Sequence, residues 1–350
     1  MRYGLVAENP FEWAVLASGI VPTPLIDAWA AAFSRSLVAA TDSGVFEALK
    51  DGPRTASAVA DACGTNPRAT EKLLNLLVSL RHLRERNGAY GLTKVTRRWL
   101  LKDQPGAIRD FIIMKLLEWR WTEQLDDFVR TGQPLDIHRT MSADDWELYQ
   151  RGMRSQATPI ADQAARRIRL PGNAKDMLDI GGSHGYFSVA FCRRHPGLRA
   201  TVLDLPEAVS KAAPLLAREG MGDRVVHRAG NALTDDLGEE AFDFIFMMSL
   251  AHHFDEATNR ELARRAARAL RPGGLMVIGE VIRHPSPAKA NVIEAFFDFY
   301  FALISESGTW TFEEMSGWQR AAGLRPRKPI RFPFNRSVGF QAADKVAATA

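Results

Sequence analysis

Cysteine is scarce in this chain of 350 residues, which contains only Cys63 and Cys192. Two cysteines in so long a chain allow at most one disulfide and are typical of a reducing compartment, which excludes a disulfide-rich secreted domain. Residues near the start include Glu8, Glu12 and Asp27, with no basic segment followed by an apolar core. We therefore expect no signal peptide and a cytoplasmic location.

Long hydrophobic runs and an excess of one charge are also missing. The apolar run over 245–251 has the length of a strand and ends at two histidines, far short of a membrane span. The 45 basic and 41 acidic residues leave a net charge of +4, which favours neither a nucleic-acid coat nor a polybasic membrane anchor. The hydrophobic share of 46% is typical of globular proteins, and the length allows two or three domains.

Residues 1–101 have the pattern of a winged helix, in which helices precede a β-hairpin. Apolar residues recur at helical spacing before Pro67, which opens a further helix that reaches Leu80. An Asn87-Gly88 turn between two short extended segments then predicts the hairpin. The helix after Pro67 is rich in leucine, whereas a helix that reads a DNA groove presents cations and amides. We therefore expect this helix at a buried interface between subunits; a ligand-sensing regulator that binds DNA is the alternative.

The rest of the chain divides into two further segments. Residues 102–170 are predicted to be mostly helical and rich in aromatic side chains, as a helical linker that contributes to a substrate pocket. Residues 171–350 alternate short apolar strands with helices, which is typical of a parallel α/β sheet. The predicted strands are 177–180, 200–204, 224–226, 244–248 and 275–278, with a long amphipathic helix over 255–270.

A glycine-rich turn over 181–185 follows the first predicted strand and precedes a helix. Ligands of open α/β sheets bind at the carboxyl ends of strands, so this turn faces the expected crevice. Its spacing does not match the G-x-G-x-x-G fingerprint of dinucleotide sites. Asp179, just before the turn, would repel a diphosphate but suits the cationic S-adenosylmethionine (SAM). Asp204, at the end of the second strand, can accept ribose hydroxyls. These two acids predict a SAM site rather than a nicotinamide-dinucleotide site.

With these segments in this order, the chain from 22 to 340 resembles the small-molecule O-methyltransferase family that includes caffeate-type, acetylserotonin and antibiotic-tailoring enzymes. The matching segments are 92–93, 99–101, 178–185, 203–206 and 229–233. The resemblance implies an α/β fold, with a Rossmann-like SAM-binding domain behind an N-terminal α-helical winged-helix dimerisation domain, and hence a homodimer. It also implies a cofactor site made of Asp179, Gly181, Gly182, Ser183, Gly185, Asp204, Leu205, Asn231, Ala232, Met248 and Ser249. The family usually has Asp at the position of Asn231, and its plant members have Lys at the position of Met248.

The resemblance further implies a histidine base for the methylation of a hydroxyl group. His252 aligns with the family's general base, and His253 replaces the Asp that usually follows it. Glu280 matches a glutamate that flanks the base, with a salt bridge to an arginine as the alternative. Glu306 is the candidate for a second such glutamate, although a match without gaps places Ser307 there. A histidine suits this chemistry because removal of the acceptor's proton during attack accelerates a reaction about 10²–10⁴-fold.

The acceptor pocket is expected to be apolar, with few polar groups. We predict a homodimeric SAM-dependent O-methyltransferase whose substrate is an aromatic or polyketide-like small molecule, with no nucleic acid or membrane as a partner. No metal is predicted, because no carboxylate cluster accompanies the histidines. A related enzyme that methylates carbon or nitrogen, or that uses the fold for a non-methylating reaction, is the alternative. The predicted pocket residues are Trp119, Met153, His253, Phe296, Phe297 and Tyr300.

Overall fold

The computed structural model describes Ala7 and residues 9–332 and 337–346. The chain forms two compact units, one up to residue 116 and the other from residue 117 onward. The finer division at 101 and 170 that the sequence suggests stays a prediction. The outer ends of the predicted first and last domains lie outside the described residues.

The N-terminal unit contains the predicted helices and hairpin. Its elements are α1 (Pro10–Ala17), α2 (Thr23–Asp42), α3 (Val45–Ala48), α4 (Ala56–Cys63), α5 (Pro67–Ser79), β1 (Leu83–Arg86), β2 (Ala89–Leu92), α6 (Lys94–Leu100) and α7 (Arg109–Thr122), which continues into the second unit. Asn66 caps α5, since its side chain accepts a hydrogen bond from the backbone N–H of Ala69 (3.0 Å). Asn87 and Gly88 both take positive φ angles, as a tight hairpin turn requires.

The leucine-rich helix α5 supplies core side chains to its own unit. Leu74 and Leu77 are fully buried and belong to the same hydrophobic cluster as Phe46 and Leu49. The expectation that the leucines of α5 serve a subunit interface is therefore wrong for these two. Their burial follows from the helical period, which places residues three apart on the same face.

The second unit is built on an eight-stranded sheet. Its strands are β3 (Asp176–Ile180), β4 (Arg199–Asp204), β5 (Val225–Ala229), β6 (Phe242–Met248), β7 (Leu270–Val281), β8 (Arg325–Pro326), β9 (Ile330–Arg331) and β10 (Val338–Asp344). The order is β5-β4-β3-β6-β7-β10-β8, and β9 also pairs with β10. Strands β3 to β7 run parallel, as predicted, and β10 is antiparallel to β7. The strands that follow β3 are added first on one side of it, as β4 and β5, and then on the other side, as β6 and β7. A crevice is therefore expected at the carboxyl end of β3.

One strand begins earlier than predicted. Leu270, predicted as the end of the preceding helix, already pairs with β6, and the segment 271–274 interrupts β7 before pairing resumes at Leu275. The reason lies in the chain that follows β10. The N–H of Gly273 donates to the carbonyl oxygen of Lys345 (2.8 Å), and the N–H of Lys345 donates to that of Gly274 (3.0 Å).

The second unit also contains helices, several of which pack against this sheet. They are α8 (Leu125–Thr131), α9 (Ile137–Thr140), α10 (Ala143–Arg167), α11 (Tyr186–Arg194), α12 (Pro206–Ala217), α13 (Glu256–Ala269), α14 (Val292–Ile304) and α15 (Phe312–Ala321). The long helix α10 starts at a capping box formed by Ser142 and Asp145 and packs against α11 and α12. No helix among the described residues has both the length and the apolar character to cross a lipid bilayer.

Candidate active site

A cavity opens in the second unit at the carboxyl ends of β3, β4 and β6, where the sequence predicted a ligand. Asp179, Asp204 and Met248 come from the ends of these three strands, and all three line it. Ten of the eleven predicted cofactor residues line this cavity: Asp179, Gly181, Gly182, Ser183, Asp204, Leu205, Asn231, Ala232, Met248 and Ser249. The eleventh, Gly185, lies behind the wall as the N-cap of α11, with a φ of 71°.

The glycine-rich turn is shaped by contacts that exclude side chains. A Cβ on Gly182 would lie 2.6 Å from Cγ of Asp179 and 2.7 Å from Cγ1 of Val202. Ser183 has a φ of 51°, which is costly for a residue other than glycine. Hydrogen bonds hold it there, because its N–H donates to Oδ2 of Asp204 (2.7 Å) and its Oγ to Oε1 of Gln150 (2.5 Å).

Asp179 lines this cavity, and one of its side-chain oxygens has no hydrogen-bond partner among the described residues. Its side chain is buried, Oδ2 accepts a hydrogen bond from Oγ of Ser188 (2.7 Å), and Oδ1 is buried without a partner among the described residues. Burial raises the pKa of the Asp179 carboxyl to about 7, and the nearby Asp204 carboxylate adds to this shift. A buried carboxylate with a free oxygen is stabilised by a cationic ligand, so this acid fits the ammonium or sulfonium of SAM.

Asp204 lies on the neighbouring strand with a similar environment. It accepts hydrogen bonds from the N–H groups of Ser183 and Leu205, both at 2.7 Å, and these bonds lower its pKa. Burial outweighs them and raises the pKa of Asp204 to about 6. Asn231, where the family usually has Asp, accepts a hydrogen bond from the N–H of Leu233 (2.9 Å) and stands on the cavity wall.

One face of α10 forms a wall that sequence reasoning largely missed. Of its lining residues only Met153 was predicted; the others are Trp146, Tyr149, Gln150, Gln156, Ala157 and Ile160. Their spacing of three and four residues is the signal that could have identified this face. His138 of α9 and His184 of the glycine-rich turn also line the cavity and were not predicted.

The two consecutive histidines after β6 occupy different places. His252 is 4% exposed, and its Nδ1 lies 3.1 Å from Oε2 and 3.3 Å from Oε1 of the fully buried Glu280. The His252 ring stacks on Phe301, with ring centroids 3.7 Å apart and planes 4° from parallel. The structure therefore brings together the predicted base and its predicted glutamate. The catalytic role of His252 stays a prediction, since this residue is not part of the cavity lining.

His253 lines the cavity. Its Nδ1 lies 2.9 Å from Oγ of Ser305, and its ring meets the ring of His138 at 4.8 Å between centroids, edge to face. The ring of His138 stacks in turn on Trp146. Burial holds the pKa of His253 well below 6.5 and lowers the pKa of His138 to about 4, so both rings are neutral at neutral pH.

Several predicted residues lie outside this cavity. Glu306 is exposed, and the residue beside a histidine is its neighbour Ser305. The backbone is extended at Ser305, so consecutive side chains point in opposite directions and only one of the two can face inward. Tyr300 and Phe297 pack around Phe301, Phe296 stacks on Tyr300 and is 46% exposed, and Trp119 is half-buried in α7. Of the predicted pocket residues, only Met153 and His253 are part of the cavity lining.

The turn that carries the histidines is held from behind. Nδ2 of Asn259 donates to the carbonyl oxygens of Ala251 (2.9 Å), Phe254 (3.0 Å) and Asp255 (3.1 Å), and Nε1 of Trp310 also donates to that of Ala251 (2.9 Å).

In the described part of the chain, no group of three or more His, Cys, Asp or Glu side chains is arranged to hold a metal ion.

Comparison with known proteins agrees with this arrangement. Residues 128–325 match the family model of the O-methyltransferase domain, and residues 28–102 match that of the O-methyltransferase dimerisation domain. The chain is 29% identical to the 3-hydroxy-5-methyl-1-naphthoate 3-O-methyltransferase of Streptomyces sahachiroi, over 89% of this chain and 92% of that protein. It is 26% identical to the mitomycin biosynthesis 6-O-methyltransferase of Streptomyces lavendulae, over 92% and 94% of the two chains.

Solved structures show the same fold. The crystal structure of human N-acetylserotonin methyltransferase in complex with SAM superposes with a TM-score of 0.81 at 21% identity, over 93% of this chain and 97% of that one. The predicted fold class is thereby confirmed, and the family match confirms the predicted methyltransferase that uses SAM. Because the O-methyltransferase model spans more than half of the sequence, this chain belongs to the O-methyltransferase family, with a dimerisation domain ahead of its O-methyltransferase domain.

Proposed function

We propose that this O-methyltransferase transfers the methyl group of SAM to a hydroxyl of an aromatic or polyketide-like small molecule. The observation that carries the proposal is one cavity with two chemically different parts. The ends of β3 and β4 present the buried Asp179 and the half-buried Asp204, and the turn after β6 presents His253 beside the rings of His138 and Trp146.

The acidic part fits the cofactor. Asp179 is a buried acid with an unsatisfied oxygen, which favours a cationic group nearby, and Asp204 can accept ribose hydroxyls. A side chain at Gly182 would displace the Asp179 side chain. SAM, when bound, supplies a methyl group on a positively charged sulfur. The chain's main contribution is alignment of the acceptor with that group, which is worth up to about 7–11 kcal/mol for well-oriented reactants.

The histidine part fits a flat acceptor. Trp146 and Tyr149 from α10 and His138 from α9 bring aromatic surfaces to the cavity, and aromatic ligands pack well against such surfaces. The name of the Streptomyces sahachiroi relative, a naphthoate 3-O-methyltransferase, agrees with an acceptor of this type. A histidine at this place can take the hydroxyl proton as the methyl group arrives.

Turnover of labelled SAM tests the proposal. The purified chain is mixed with SAM that carries a ¹³C-methyl group and with a panel of hydroxynaphthoates, hydroxyquinones and simple phenols, and the product is examined by NMR. We expect the label at the chemical shift of a methoxy carbon. A label on nitrogen or on ring carbon would instead support the alternative methylation reactions. Binding of nicotinamide dinucleotide without binding of SAM or S-adenosylhomocysteine (SAH) would refute the cofactor assignment.

We also propose that the chain forms a homodimer through its N-terminal unit. Phe11, Trp13 and Trp29 are 77%, 67% and 48% exposed on α1 and α2, and such apolar surface is usually covered by a partner. Light scattering should give the mass of two chains, and Trp13→Asp combined with Trp29→Asp should give the mass of one. Val226→Asp, which changes an exposed residue of the second unit, should leave the dimer intact.

A further inference from the structure

We propose that His253, rather than the family-aligned His252, takes the proton from the acceptor hydroxyl, and that Ser305 and His138 fix its ring for this step. This inference rests on the proposed function and identifies the residue that performs its proton transfer. A base must come within hydrogen-bond reach of the group that loses the proton. Of the two histidines, His253 is the one on the cavity wall.

The environment of His252 suits a positioning residue. Its Nδ1 and its backbone N–H both lie 3.3 Å from Oε1 of Glu280, and one face of its ring is covered by Phe301. Its ring centroid lies 4.2 Å from that of His253. The pair formed by His252 and Glu280 therefore packs against the His253 ring and limits its movement.

Ser305 occupies one of the two ring nitrogens of His253, because its Oγ lies within hydrogen-bond distance of Nδ1. When Nδ1 carries the hydrogen, it donates to Oγ of Ser305 at 2.9 Å, and Nε2 is left with a lone pair. The edge-to-face contact with His138, itself stacked on Trp146, restrains the ring from another side. Burial lowers the pKa of His253, so its ring is neutral before the reaction; the same shift makes the ring a weak base, so proton removal has to accompany methyl transfer rather than precede it.

The transfer balances in atoms and charge. The O–H bond of the acceptor breaks and its hydrogen becomes the proton on Nε2 of His253. The electron pair of the oxygen forms the new bond to the methyl carbon, and the electrons of the methyl–sulfur bond remain on sulfur. The positive charge thus passes from sulfur to the imidazole ring, and the proton then leaves to solvent.

The test compares His253→Asn with His252→Asn on two acceptors. The first is the hydroxynaphthoate of the panel that the wild type methylates fastest, and the second is a nitro-substituted analogue whose hydroxyl is already ionised at the assay pH. His253→Asn should lower kcat at least about 100-fold on the first acceptor and much less on the second, because the second needs no base. His252→Asn should lower kcat about 10-fold on both, as for a residue that orients another.

Three further measurements distinguish a loss of proton transfer from a loss of folding or of cofactor binding. SAH affinity, measured by calorimetry, should be unchanged in both variants, and His284→Asn, a histidine outside the cavity, should keep full activity. Ser305→Ala should lower kcat without changing SAH affinity, and Ser305→Thr should restore activity, because threonine keeps the hydroxyl.

The inference is overturned if His252→Asn lowers kcat much more on the first acceptor than on the ionised one, while His253→Asn lowers kcat only slightly or equally on both. If the wild type binds SAH but methylates no hydroxyl in the panel, the proposed function is wrong and the inference falls with it. If the wild type is active and His253→Asn keeps its rate on both acceptors, only the inference is wrong.

Discussion

Asp179→Asn should weaken cofactor binding and stabilise the free protein. A pKa of about 7 instead of 3.8 corresponds to about 4 kcal/mol against the ionised carboxylate in the folded state. Because the folded-state pKa of this acid is raised, the cost is absent below about pH 4, grows as the pH rises, and is complete above pH 7. Asn has nearly the same shape and can keep the hydrogen bond from Ser188.

The expected magnitudes follow from these terms. At pH 8 the free energy of unfolding of the ligand-free variant should exceed that of the wild type by about 1–4 kcal/mol, and the two should coincide near pH 4. A hydrogen bond to a charged group is worth about 1.5–3 kcal/mol, so the dissociation constant of SAM should rise about 10- to 100-fold. In the wild type, SAM affinity should increase from pH 6 to pH 8 as Asp179 ionises. In the variant, a weaker dependence should remain from Asp204, whose pKa is raised to about 6.

Urea unfolding and calorimetry at several pH values measure both effects. The matched control is Asp176→Asn at the other end of the same strand, where the carboxylate pairs with Arg271 (2.8 Å). This control should keep SAM affinity and should not gain stability at high pH. A variant Asp179→Asn that binds SAM as well as the wild type, or that is less stable than the wild type at pH 8, would refute the assignment of this buried acid.

Two further predictions concern backbone geometry. Gly182→Ala should cost about 1–3 kcal/mol of stability and weaken SAM binding, because its Cβ would lie 2.6 Å from Cγ of Asp179. Thermal unfolding and calorimetry measure the two effects. The control is Gly172→Ala, whose Cβ would have no atom within 4 Å. Asn259→Ala should cost about 1–3 kcal/mol, because the carbonyl oxygen of Ala251 and two others in the same turn lose a donor. Asn259→Ala should lower kcat while SAM affinity stays unchanged. If the variant is as active and as stable as the wild type, Asn259 does not hold the histidine turn in place.

The parts of the site that were predicted from sequence are those set by chain direction. Parallel strands carry their carboxyl ends to one edge, so Asp179 and Asp204 had to approach each other once both strands were identified. Glycine at 182 fits the same place, because a Cβ there would lie 2.6 Å from Cγ of Asp179. Glu280 follows the same rule, since it lies near the end of the strand beside β6.

The rest depended on tertiary packing. Spacing indicates that Trp146 and Gln150 share a face of α10, but only the packing of α10 against α11 and α12 decides that this face lines the cavity. Likewise, the choice between Ser305 and Glu306 depends on where α14 ends and extended backbone begins. His138 was missed because it is far from the other histidines in sequence and reaches them only through the fold.

The length of α10 links the two parts of the cavity. Gln150 accepts a hydrogen bond from Ser183 in the glycine-rich turn, and Trp146, one helical turn earlier, supports the ring of His138. A small displacement of this one helix would therefore change the binding site of the methyl donor and that of the acceptor together. Any change that one ligand makes in the affinity for the other through this helix must be reciprocal, so the two affinities would rise or fall by an equal factor.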